Sequence, residues 1–100
     1  MMSNSTLLKS SDRNGTDDAD FIANRVRAVL QAHGRLGRNA AGLTDDEDLY
    51  EAGMTSLASV NVMLALENEF DLEFPDHMLN RAVFASVGAI AAAVRKIEGA

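Results

Sequence analysis

Three stretches of this 100-residue chain repeat their apolar residues at helical spacing, and no period-2 strand pattern is sustained beside them. That absence confines the fold to helices. Phe21, Ile22, Val26, Val29 and Leu30 follow Asp17, Asp18 and Asp20, carboxylates that complement a helix amino terminus. His33-Gly34 marks the expected end of this first helix. A second helix runs from Leu57 to Phe70, with no Gly or Pro inside it and with Thr55 or Ser56 able to accept from its first amides. A last one begins at Ser86 and aligns Val87, Ile90, Ala91, Val94 and Ile97, with Arg95 and Lys96 suited to its carboxy end. Before it, Asp76 can cap a short segment from His77 to Val83 that is too brief to be stable alone. The expected architecture is an all-α four-helix bundle, three longer helices and one short.

Size and composition bound the function. A 47% hydrophobic content with five aromatic residues supplies one small core, so the chain is at most one domain. A carrier or binding module is expected in preference to an enzyme, because a chain this short seldom encloses a deep cleft as well as a core. Cysteine is absent, which excludes a disulfide framework, thiolate chemistry and a cysteine-ligated zinc. Any thiol must come with a cofactor. His33 and His77 have no ligating neighbours in sequence, and no nucleophile and base pair is visible.

No apolar run is long enough to span a bilayer, and Met1 to Thr6 lacks the basic and apolar regions of a secretory signal, so a cytoplasmic protein without a membrane role is expected. Residues 1–16, rich in polar side chains, are expected to be a flexible extension to a domain of residues 17–100. The net charge of −6 argues against nucleic acid and for basic partners. No Lys or Arg occurs between Arg38 and Arg81, whereas ten carboxylates do, from Asp45 to Asp76. Asp45-Asp46-Glu47-Asp48 lacks the ligand pattern of a calcium loop and is expected to be a solvated acidic stretch.

The connection from Arg35 to Gly53 is long for so small a domain, and Leu36, Leu43, Leu49 and Tyr50 are available to fasten it. It leads to Gly53-Met54-Thr55-Ser56-Leu57, which sets a hydroxyl at the start of a helix. Along that helix Val62, Leu66 and Phe70, with Ala65 between them, form one apolar stripe, yet Leu57, Val60, Met63 and Leu64 widen the apolar arc beyond one core's need. Periodicity leaves two readings equal: an exposed patch, or a helix buried between two others.

The approach Asp48-Leu49-Tyr50-Glu51-Ala52-Gly53, the Ser56-Leu57 pair, the helix end Glu67-x-Glu69-Phe70 and the turn Phe74-Pro75-Asp76 together resemble the acyl carrier protein family, from Asp48 to about Val94. The resemblance implies that Ser56 carries 4'-phosphopantetheine, donated from coenzyme A, whose thiol holds acyl or aminoacyl groups as thioesters. It implies a phosphopantetheinyl transferase, recognising Asp48, Gly53, Met54 and Leu57, and a loading ligase or synthase with a basic docking surface. It also implies a non-catalytic monomer read by its partners through Leu57, Val60, Met63, Leu64, Glu67 and Glu69. Two departures stand out: Thr55 occupies the place of the family's usual aspartate, and Ala58 and Asn61 fall where fatty-acid carriers put acids. They imply a partner set other than that of the housekeeping fatty-acid carrier. Fatty acyl, polyketide and amino-acid cargo remain open, and the rival reading is an unmodified acidic helical adaptor for a basic protein.

Overall fold

The computed structural model describes residues 14–99, with side chains from Phe21 onward. Three α-helices, α1 (Asn14–His33), α2 (Ser56–Phe70) and α3 (Val87–Glu98), are joined by loops with 3-10 turns at Ala40–Gly42, Asp76–Met78 and Arg81–Phe84. No strand occurs among the described residues. The single short helix expected over residues 77–83 is instead the last two of these turns. Asn80 separates them: its side chain accepts from the Val83 amide and starts the second turn afresh. Most of the extension expected over residues 1–16 lies outside the described residues, and Asn14, Gly15 and Thr16 already belong to α1.

Helix α1 packs against both α2 and α3. Val26 and Leu30 from α1, Val62 and Leu66 from α2, and Val87, Ile90 and Val94 from α3 are fully buried, and so is Leu49 from the long loop. A loop leucine at the centre of the core explains how so long a connection stays ordered. Leu43 and Ala40 are buried beside it, with Leu36 and Tyr50 half-buried against the cluster. The loop is also fastened through its backbone. The Leu49 amide donates to the Ala85 carbonyl (2.7 Å), and the Asp45 carbonyl accepts from the Gly88 amide (2.9 Å). The second bond satisfies one of the first amides of α3, while Ser86 Oγ accepts from the amide of Ala89.

Helix ends follow local chemistry. The Gly34 amide closes α1 on the Leu30 carbonyl, and a Cβ there would lie 2.8 Å from that oxygen. The left-handed residue comes one place later, at Arg35 (φ 56°). Asp71 (φ 53°) ends α2 in the same conformation. The buried aromatic pair is Phe74 and Phe84, edge to face with centroids 5.2 Å apart. Phe70, placed by its stripe in the core, is only half-buried, because as the last residue of α2 it reaches the end of the bundle and lies beneath the Arg25 guanidinium (4.9 Å).

Candidate functional site

The turn before α2 presents one hydroxyl and immobilises everything around it. Asp48 Oδ1 accepts from the amides of Tyr50 (2.9 Å) and Glu51 (3.2 Å), which starts the turn. The Asp48 carbonyl then takes the Ala52 amide, and the Tyr50 carbonyl takes that of Gly53. Gly53 has φ +118°, a conformation that residues with a Cβ rarely adopt, and it reverses the chain. The Met54 amide bonds back to the Leu49 carbonyl (2.9 Å), so two buried side chains, Leu49 and Met54, pin both ends of the reversal.

Of the two candidate caps, Thr55 is the one in use. Its backbone is extended (φ −82°, ψ 167°) and its Oγ1 accepts from the Ala58 amide at 3.0 Å. Ser56 is therefore the first residue of α2, exposed, and no hydrogen bond among the described residues involves its hydroxyl. Ala58, Val62 and Leu66 face the core, and Ser56, two residues before Ala58, projects to the opposite side. A bulky reagent meets no side-chain bond that it must break. The first turn of α2 contains no acid, so the partial positive charge of the helix start is not offset there.

The outward face of α2 resolves the two readings of its wide apolar arc. Leu57 is 73% exposed, Leu64 54% and Val60 47%, so this arc is a surface, with Met63 half-buried at its edge. Ala58, expected on the exposed face, is buried: it is the most buried residue of the first turn and belongs to the core cluster. Asn61 is exposed.

Several residues expected to meet partners are engaged within the domain. Met54 is 2% exposed and is a core residue, because the reversal at Gly53 turns its side chain inward. Glu67 Oε2 accepts from the Phe74 amide (2.9 Å) and anchors the turn after α2. Glu69 forms an ion pair with Arg25, whose Nε donates to Glu69 Oε2 (2.7 Å) and whose Nη2 donates to the Glu69 carbonyl. Asp45 pairs with Arg27 and Glu47 with Arg38, so the acidic loop is partly neutralised by α1 and by its own start. Among the described residues no group of three His, Cys, Asp or Glu side chains is placed to hold a metal ion.

Beside Ser56 runs a groove of about 480 Å³, lined by Tyr50, Val60, Met63, Leu79 and Arg81 among others. The Arg81 guanidinium lies over the Tyr50 ring, 3.8 Å from its centroid. Arg81 was not singled out from the sequence, although it is the first Lys or Arg after Arg38 and thus conspicuous by charge alone.

An exposed hydroxyl at an uncompensated helix start, beside a surface groove, suits covalent attachment of a long anionic arm. The model for the phosphopantetheine attachment site family matches residues 24–94, and the chain belongs to that family. Phosphopantetheine is its prosthetic group. The chain is 46% identical over 72 residues to an aminoacyl carrier protein from Agrobacterium fabrum, covering 72% of this chain and 87% of the relative. It is 33% identical over 72 residues to aminoacyl carrier protein 1 from Bradyrhizobium diazoefficiens, covering 72% and 76% respectively. Its fold is similar to that of the Agrobacterium tumefaciens carrier protein solved in complex with an engineered Bradyrhizobium japonicum glycine:[carrier protein] ligase and ATP. That similarity has a TM-score of 0.74 at 43% identity over 76% of this chain and 99% of that one.

Proposed function

We propose that this protein is an aminoacyl carrier whose Ser56 bears the phosphopantetheine arm. The observation that carries the assignment is the division of labour between neighbours: Thr55 caps α2, while the Ser56 hydroxyl points away from the core with no partner among the described residues. The arm supplies a terminal thiol on which an amino acid is held as a thioester. The chain's own contribution is positional. Leu49, Met54 and Ala58 lock the turn from inside, Gly53 permits the reversal, and the start of α2 favours the phosphodiester by a few tenths to about 1 kcal/mol.

No catalytic group is required of the domain, since activation and transfer belong to partner enzymes. A phosphopantetheinyl transferase installs the arm, and an amino acid:[carrier protein] ligase loads it. The aminoacyl relatives support this cargo over a fatty acyl chain, as does the absence of acids from the outward face of α2 between Ser56 and Leu64. The ligase is expected to seat on Leu57, Val60 and Leu64. Among the described residues no helix is long and apolar enough to cross a membrane.

The test is intact-mass measurement after incubation with coenzyme A and a broad-specificity transferase. One added arm is expected, and Ser56→Ala is expected to gain none. An unmodified wild-type chain would return the field to an acidic adaptor.

A further inference from the structure

The groove beside Ser56 contains one cation, Arg81, that no carboxylate among the described residues neutralises. Arg25, Arg27 and Arg38 are each paired with a carboxylate, whereas among the described residues none pairs with Arg81. Its guanidinium is held over the face of Tyr50, which fixes the planar group while leaving its N–H edge available for an anion. Tyr50 is itself fixed, since its amide is bonded to Asp48 and its ring packs half-buried on the core. Arg81 is held from the other side by the 3-10 turn that Asn80 caps and that buries Phe84. The remainder of the groove is largely apolar, with Val60, Met63 and Leu79 along it.

We propose that Arg81, seated on Tyr50, is a positioning residue that clamps the phosphodiester of the prosthetic arm and so lays the arm along this groove. The inference rests on Ser56 being the attachment point. The occupant follows from charge and connectivity: an arm on Ser56 begins with an anion inside a groove that also contains Arg81, and it continues with methylene and amide groups that suit apolar walls. Because the clamp is exposed, its hold is weak, which lets the arm leave for a partner's active site.

Cysteine is absent from the chain, so the arm's thiol is the only thiol in the modified protein and its alkylation reports on the arm alone. Wild type, Arg81→Gln and Arg81→Lys are converted to the modified form, with conversion verified by mass, and then alkylated with a bulky maleimide at low and high salt. Arg81→Gln is expected to react faster than wild type at low salt, by about two- to fivefold, the range set by an exposed ion pair. Arg81→Lys is expected to stay within about twofold of wild type, and the difference to vanish at high salt, where exposed charges are screened. In ¹⁵N-resolved spectra, the Arg81 Nε–H resonance is expected to move on modification. Modified protein whose Arg81 Nε–H does not move, or whose Arg81→Gln variant alkylates at the wild-type rate, overturns the clamp and leaves the Ser56 assignment intact. A wild-type chain that gains no mass overturns both.

Discussion

The two ends of α2 are built to opposite purposes. At its carboxy end Glu67 grips the Phe74 amide, Glu69 and Phe70 both engage Arg25, and Asp71 turns left-handed to close the helix. At its amino end one threonine caps the helix, and the serine after it is left exposed. The contrast teaches that acidic side chains close together in sequence need not share a task. Glu67 and Glu69 bond within the domain, whereas the proposed attachment site lies at the end where the serine hydroxyl has no hydrogen-bond partner among the described residues.

The largest expected effect comes from the open end. Ser56→Ala should abolish arm attachment outright while leaving helicity and melting temperature nearly unchanged, because the cap is Thr55; circular dichroism beside intact mass checks both halves. A cooperative loss of structure in Ser56→Ala would erase the distinction between the ends. Next comes Leu49→Ala, which removes a fully buried side chain from beneath the site and should cost about 2–5 kcal/mol in denaturant titration. An unchanged midpoint would show that the loop does not depend on its central anchor. Thr55→Ala should cost about 1 kcal/mol, the ordinary value of a helix cap, without preventing modification.

At the closed end the effects are smaller than the sequence suggests. Phe70→Ala should cost less than the roughly 3–5 kcal/mol of a fully buried ring, because its face is already shared with Arg25 and solvent. A loss in the full range would return Phe70 to the core. Glu69→Gln should cost no more than about 1 kcal/mol, since the side chains of both partners in its ion pair are more than a third exposed (40% and 35%). Measuring the two variants at low and high salt separates packing from charge: only Glu69→Gln should lose its effect as salt rises.

Much of this was legible because apolar spacing in a helix reports directly on burial. Val87, Ile90, Ala91 and Val94 face the core as their period requires, and Ser86 caps the helix they form. Leu43 and Leu49 were recognisable as anchors because they are isolated apolar residues in a polar connection. The family resemblance singled out Ser56 for the arm, but sequence could not decide whether Thr55 or Ser56 caps the helix, since either oxygen suits that role. What escaped was non-local or directional. Arg25 meets Glu69 across 44 positions of sequence, a contact set by how α1 lies on α2. The inward course of Met54 depends on the unusual φ of Gly53, and no periodicity exists in a turn to reveal it. Ala58 is buried in the core, where a polarity pattern reads so small a residue as merely neutral. An Ala58→Asp change therefore tests packing, and Asn61→Glu is the substitution that probes the outward face.

The bonds from Leu49 to Ala85 and from Asp45 to Gly88 rivet the loop that leads to Ser56 to the start of the third helix. With the arm on Ser56 as proposed, the platform under the tether has little play of its own, and cargo travels by the swing of the tether about a stationary pivot. How far cargo can be handed on is then fixed by the tether's length, and whatever loosens the third helix unsettles the pivot at the opposite side of the molecule's chain order.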